Sequence, residues 1–211
     1  MSGRLGTFRD GRGTWRWGFA SRLPYPRSVP DVDARELCRS LLEAELPQRW
    51  AHCQGVARQA ASIGPALDEF GALVESAAWL HDIGYAAPLA HAGFHPLDGA
   101  RYLRDAGIGS RPLWTLVAHH TCAVTEAEER GLGGELAAEF PIEDAPRTAL
   151  SALTYCDMTT GPDGSPLDVE QRIAEILARY GPGDVVHRSI SRAAPLLRAQ
   201  VAETEARIAA S

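Results

Sequence analysis

The sequence predicts an all-α fold, and three observations support this prediction. Apolar residues recur at helical spacing along most of the chain. Proline and glycine stand where helices begin and end, as in the pairs Pro47 and Gly64, and Pro96 and Gly107. No stretch shows the alternation of apolar and polar residues that is typical of a half-buried strand.

Five helices are expected in the first half of the chain. Asp31 or Asp33 can cap the first helix, which ends near Leu46. A loop over residues 84–95 separates the third helix from the fourth. The ranges expected for the second to fifth helices are 47–63, 70–84, 96–106 and 112–120.

The second half is expected to be helical with more interruptions. The acidic stretch 125–140 has no clear period and is expected to be weakly helical or irregular. Glycine and proline in GPDG at 161–164 and GPG at 181–183 separate the later helices. The ranges expected for these helices are 144–158, 169–180, 184–192 and 195–209.

The composition excludes several classes of enzyme. All 21 basic residues are arginine, and the chain contains neither lysine nor asparagine. The absence of lysine excludes enzymes that form a Schiff base, bind pyridoxal phosphate through lysine or use a Walker A lysine. The absence of asparagine excludes a Cys-His-Asn triad. The chemistry must therefore depend on the other polar side chains.

Charge divides the 211 residues into a short basic segment and an acidic body. Residues 1–30 hold six arginines and one acid, and their glycine and proline content predicts a flexible extension. Residues 31–211 hold 15 arginines and 26 acids, so we expect no stable binding to nucleic acid. We expect 31–211 to form one domain, with the functional core over 47–160.

Features linked to cell location point to the cytoplasm. No apolar run is long enough for a transmembrane helix, and the N-terminus lacks the apolar region of a secretory signal. The four cysteines form no CxxC pair and are expected to be buried, reduced thiols. We therefore expect a cytoplasmic protein that does not bind membranes, while the sequence leaves the oligomeric state open.

Six of the seven histidines lie within residues 52–120, and this clustering is the main functional signal. His81 and Asp82 end an apolar helix and Asp157 ends another apolar run, so a compensating cation is expected beside these carboxylates. His52 completes a set of two histidines and two carboxylates. Such a set suits a divalent ion such as Mn, Fe, Co, Ni or Mg better than it suits structural zinc.

The pattern H…HD…D, formed by His52, His81, Asp82 and Asp157, resembles the signature of the HD-domain superfamily of metal-dependent phosphohydrolases. The resemblance covers roughly residues 30–160. It implies an all-α domain in which these four residues bind a divalent ion. It also implies that Asp82 is catalytic and orients the attacking water, whose pKa the ion lowers.

Two further segments, GFHPLDGARYL (93–103) and LVAHHTCA (116–123), resemble the binuclear branches of this superfamily. Extra histidines bind a second metal ion in those branches, which implies that His95 and His120 do so here. The pair His120 and Thr121 resembles the branch that hydrolyses dinucleoside tetraphosphates. The resemblance thus implies one or two metal ions per chain.

Arginine must provide the cationic contacts to phosphate in a chain without lysine. Arg49 lies three residues before His52 and shares its helix face, so it is the preferred candidate. Arg101 and His119 are further candidates for contact with the substrate.

These features predict a phosphohydrolase that cleaves an ester or anhydride of a small phosphorylated metabolite, with nucleotides as the preferred class. Two alternatives stay open. The same histidines and carboxylates can hold a di-iron centre, as in HD-fold oxygenases. An HD domain can also act as a non-catalytic sensor of a nucleotide or a partner.

Overall fold

The computed structural model describes residues 33–211, and within this range it confirms the all-α prediction. The extension predicted over residues 1–30 and the alternative cap Asp31 lie outside the described residues. The α-helices are Ala34–Leu42 (α1), Pro47–Ile63 (α2), Gly71–Leu80 (α3), His95–Asp105 (α4), Arg111–His119 (α5), Ala123–Glu129 (α6), Gly133–Glu139 (α7), Arg147–Met158 (α8), Val169–Arg179 (α9) and Val185–Ala209 (α10).

Several helix ends lie where the sequence predicts them. The side chain of Asp33 accepts hydrogen bonds from the backbone N–H groups of Arg35 and Glu36 and so caps α1. Pro47 is the first residue of α2, where its missing N–H costs no helical hydrogen bond. The predicted loop over 84–95 contains two short 3₁₀ turns.

Two parts of the second half are more regular than predicted, and packing explains both. The acidic stretch 125–140 forms α6 and α7, which bury Ala127 and Leu136 in the core. The two helices predicted over 184–192 and 195–209 are a single helix, α10, with Pro195 inside it. The apolar face of α10 packs with α8 and α9, and this burial compensates for the hydrogen bond that the proline removes.

The ends of α3, α5 and α8 meet the start of α4 beside the main apolar core. Gly84, in the turn after α3, lets the chain approach α4 closely. A Cβ atom on Gly84 would lie 2.0 Å from the carbonyl oxygen of His95, so a larger residue would separate the two segments. None of the helices within 33–211 is long and apolar enough to cross a bilayer.

Candidate metal centre

The structure brings together all six side chains that the sequence predicts as metal ligands. They come from the middle of α2, the segment after α3, the start of α4, the segment after α5 and the last turn of α8. Five of the six are buried. The sixth, His95, has 15% of its side chain exposed. The set is His52, His81, Asp82, His95, His120 and Asp157.

Three of these histidines are held in the tautomer that a metal ion requires. Nδ1 lies 2.9 Å from a backbone carbonyl oxygen in His52, 2.8 Å in His81 and 2.7 Å in His120. A carbonyl oxygen only accepts hydrogen bonds, so Nδ1 of each ring carries a proton and Nε2 is the nitrogen that can offer a lone pair to a metal ion. Hydrogen bonds of this kind orient histidine ligands in metal sites. The Nε2 atoms of all three rings are therefore available as ligands.

Asp82 lies between two groups of donors. Its Oδ2 atom is 3.4 Å from Nε2 of His81 and 3.9 Å from Nε2 of His52. Its Oδ1 atom is 3.3 Å from Nε2 of His95 and 3.8 Å from Nε2 of His120. Within each group of three residues, one ligand atom from each lies within 4.8 Å of the others. The carboxylate can therefore offer one oxygen to each group.

The polar atoms of this cluster fit a divalent cation. Nε2 of His81 is buried and has no hydrogen-bond partner among the described residues. The Nε2 atoms of His95 and His120 lie 3.2 Å apart. Leaving a buried lone pair without a partner costs free energy. Imidazole and carboxylate together suit divalent ions of the Mn, Fe, Co or Ni type, which would satisfy these lone pairs.

Burial and charge set the protonation states of the cluster. Burial raises the pKa of Asp82, but the charges of Arg49 and His81 outweigh it and hold this pKa well below its usual range. Burial lowers the pKa of His81, but the charge of Asp82 outweighs it and raises this pKa to about 10. Burial, with the charge of His81, lowers the pKa of His120 to about 3. Near neutral pH, Asp82 is therefore ionised and His120 is neutral, as ligands must be, whereas His81 has to release a proton from Nε2 when a metal ion binds.

Asp157 is oriented by two neighbours that contact different oxygens of its carboxylate. Nε2 of His52 lies 3.0 Å from Oδ1, and the hydroxyl of Thr121 donates to Oδ2. Thr121 and Cys122 both adopt a left-handed backbone conformation, with φ of 50° and 57°. This conformation is costly for residues other than glycine. The sequence points to Thr121 only through the resemblance of the pair His120 and Thr121, and no pattern in it predicts this hydrogen bond.

A cavity opens onto these six side chains, the candidate metal cluster, on the side of His95. It encloses about 670 Å³, part of which is open to solvent. Helices α9 and α10 supply an apolar wall that includes Ile176 and Ile190. The charged residues outside the ligand set that line it are Arg49, Glu126, Arg172 and Arg179.

Arg49 lies at the edge of the metal cluster, between the ligands and the cavity. Its Nη1 atom donates to Oδ2 of Asp82 at 2.7 Å. Its guanidinium also lies 4.1 Å from the centre of the Tyr85 ring, which stacks on His95 with 3.9 Å between ring centres. Tyr85 comes from a segment that the sequence predicts as a loop, and no pattern in the sequence identified it.

The structure does not bring Arg101 and His119 to this cavity. Arg101 binds Glu139 and Glu135 on the outer side of α4. Arg101 comes six residues after His95. Because each residue turns the helix by about 100°, the side chain of Arg101 leaves α4 in a different direction from that of His95. Nε2 of His119 faces the carbonyl oxygen of Phe140 at 2.7 Å, and the ring points away from the metal cluster.

Two arginines of α9 line the cavity without having been identified from the sequence. Arg172 and Arg179 are seven residues apart, which places them on one face of α9. Their spacing was visible in the sequence. What could not be read there is that α9 folds back over Asp157, because this depends on the packing of α9 and α10.

Comparison with known families identifies one match. The family model described as HD domain matches residues 49–180, which is more than half of the chain and includes all six residues of the metal cluster. No curated protein and no solved structure matches the chain.

Proposed function

The chain belongs to the HD domain family, and on this basis we propose that it is a metal-dependent phosphohydrolase. Members of this family are generally metal-dependent phosphohydrolases. The proposed substrate is a small phosphorylated metabolite, with nucleotides as the first class to test. The observation that carries the proposal is the position of Asp82 between two groups of histidines, beside a cavity lined by arginines.

The residues divide into two proposed metal positions. His52, His81, Asp82 and Asp157 would hold one divalent ion. His95 and His120, together with the second oxygen of Asp82, would hold another. Divalent ions bound by such ligands lower the pKa of water and polarise a phosphoryl oxygen.

The side chains around these positions would prepare the substrate for hydrolysis. Within the described residues, Arg49 donates a side-chain hydrogen bond only to Asp82, so its other N–H groups can bind the substrate. A guanidinium can donate two parallel hydrogen bonds to two phosphate oxygens. Asp82 would orient the attacking water, as the resemblance to the superfamily implies. The oxygen of water bonds to phosphorus and water gives up one proton, while the bond from phosphorus to the leaving oxygen breaks and that oxygen takes up one proton, so no proton is gained or lost overall. Partial exposure of His95 leaves this side of the cluster open to the substrate.

Metal content and phosphate release test the proposal together. The purified full chain would be loaded with Mn, Co or Ni and assayed against nucleotides and generic phosphate esters. His81→Ala and Asp82→Ala should each lose bound metal and phosphate release, because both residues belong to the proposed ligand set. His91→Ala is the matched control, since His91 is exposed and lies outside the ligand set. Full retention of metal in both site variants would contradict the proposal.

Two other outcomes of these assays would indicate a different function. The ligand set also suits iron, so oxygen consumption by iron-loaded protein without phosphate release would indicate an oxygenase. Nucleotide binding without turnover of any substrate would indicate a sensor.

A further inference from the structure

A buried arginine, Arg172, lies in the wall of the cavity, beside the proposed metal ligand Asp157. It sits on α9, 15 residues after Asp157, and only 5% of the residue is exposed. Arginine is rarely this buried unless its charge is balanced and its donors are used. The partners of Arg172 therefore indicate what this side chain does.

Glu175 holds the guanidinium groups of two arginines in place. Nη1 of Arg172 donates to Oε2 of Glu175 at 2.6 Å, and Nε of Arg179 donates to Oε1 at 2.9 Å. One carboxylate thus orients two cations that both line the cavity. Glu175 balances one of the two positive charges, so these three residues together carry a net charge of +1.

The remaining donors of Arg172 are not fully used. Its Nε atom is buried and has no hydrogen-bond partner within residues 33–211. Its Nη2 atom lies 3.8 Å from Oδ1 of Asp157, which is too long for a good hydrogen bond. Burying a guanidinium whose donors are not all used is costly, and an anion in the cavity that accepts from Nη2 would offset part of that cost.

We propose that Arg172 and Arg179 form an oxyanion subsite that binds the phosphoryl group of the substrate next to Asp157. The inference rests on the proposed function for the chemical class of its ligand. Arg172 would contact the phosphoryl oxygens directly, because its guanidinium borders a proposed metal ligand. Arg179 is more exposed and would add a weaker contact at the outer side. Glu175 acts as a positioning residue for both.

The competing explanation is that Arg172 only balances the buried charge of Asp157. The two explanations differ in what an Arg172 variant loses. A residue that balances Asp157 affects metal affinity and folding, whereas a phosphate contact affects the affinity for inorganic phosphate at unchanged metal content.

Calorimetric titration of inorganic phosphate into the Mn-loaded full chain separates these explanations. We expect Arg172→Lys to weaken phosphate binding at least tenfold, because lysine keeps the charge but lacks the paired donors of the guanidinium. Bound Mn should stay within twofold of the wild type. The matched control is Arg198→Lys, since Arg198 also pairs with a glutamate of α9, Glu170, but lies on the surface outside the cavity.

Several results would overturn the inference. These are unchanged phosphate affinity in Arg172→Lys, no phosphate binding by the wild type at millimolar concentration, or a loss of phosphate binding that only follows a loss of Mn. If Arg172→Lys does not fold, Arg179→Gln provides the test at a position where 34% of the side chain is exposed. Phosphate affinity in Arg179→Gln equal to that of the wild type would count against the subsite.

The inference and the proposed function can fail separately. Phosphate binding that depends on Arg172 without hydrolysis of any phosphate ester would support the subsite and contradict the activity. Hydrolysis with phosphate affinity unchanged by Arg172→Lys would support the activity and contradict the subsite.

Discussion

Nε2 of His95 lies 3.2 Å from Nε2 of His120, and both atoms face Oδ1 of Asp82. Nδ1 of His120 already donates to the carbonyl oxygen of Val117, so its Nε2 presents a lone pair. At most one proton can lie between the two nitrogens. A divalent ion, in contrast, can accept both lone pairs and the carboxylate oxygen.

This arrangement predicts that His120→Ala lowers the number of tightly bound divalent ions by one per chain. The ion lost is the one that His95 and Oδ1 of Asp82 would share, because two remaining ligands hold an ion weakly. Elemental analysis after dialysis against limiting Mn or Fe would measure the change. His187→Ala serves as the control, since Nδ1 of His187 contacts the carbonyl oxygen of Tyr180 and His187 belongs to neither group of proposed ligands. Equal metal content in His120→Ala and the wild type would argue against a second metal position.

The hydrogen bond from Thr121 to Asp157 gives a second prediction. Thr121→Val removes the donor but keeps the shape, so Oδ2 of Asp157 loses its fixed orientation. We expect metal affinity to fall about tenfold to a hundredfold, the usual effect of losing a hydrogen bond that orients a ligand. Thr121→Ser keeps the hydroxyl and should bind metal like the wild type. Competition with a metal-binding dye measures both, and similar affinity in the valine and serine variants would contradict this role.

The local signals in the sequence were sufficient to predict which side chains lie together around Asp82, but not the cavity beside them. His52, His81, Asp82 and Asp157 stand at positions defined by helix periodicity and helix ends, which a sequence displays. Arg172 could not be assigned because its role depends on how α9 packs over α8, a contact between separate segments.

The same distinction explains where the fold predictions held. Asp33 and Pro47 act within one turn of their own helix, and both mark helix starts as predicted. The sequence predicts two helices over 184–192 and 195–209, with Pro195 at the start of the second. Burial of Ala194 and Leu197 against the neighbouring helices keeps α10 continuous, and no local rule contains that contribution.

Close backbone packing beneath His52 gives a third prediction. A Cβ atom on Gly55 would lie 2.7 Å from Cα and O of Gly164, whose φ is +80°. This contact holds the turn that places the carbonyl oxygen of Gly161 against Nδ1 of His52. We expect Gly55→Ala to destabilise the fold by about 2 kcal/mol, as overpacking usually does, and to weaken metal binding.

Gly64→Ala is the matched control for Gly55→Ala. Among residues 33–211, no atom lies within 4 Å of a Cβ atom built on Gly64, and the backbone of Gly64 is right-handed helical. Alanine there should leave stability unchanged or raise it by about 0.5 kcal/mol. Urea unfolding at neutral pH compares the two variants, and equal stability for both would show that the packing at Gly55 is not tight.

The ion pairs of Glu139 predict how stability depends on pH. The hydrogen bond from Arg101 lowers the pKa of Glu139 to about 2, although burial acts in the opposite direction. An unfolded glutamate has a pKa of about 4.3, so the folded state binds its proton less tightly. The contribution of these ion pairs is therefore complete above about pH 4.3 and disappears as the pH falls towards 2. Because Glu139 is partly exposed, we expect this contribution to the free energy of unfolding to be about 1 kcal/mol.

Comparison of the wild type with Glu139→Gln measures this contribution. The difference in unfolding free energy should be largest near pH 7 and should shrink by half or more at pH 3, because the wild-type carboxylate then loses its advantage over glutamine. Glu45→Gln is the control, since Glu45 forms no ion pair within the described residues. A difference between wild type and Glu139→Gln that stays constant from pH 7 to pH 3 would mean that packing, rather than charge, is responsible for it.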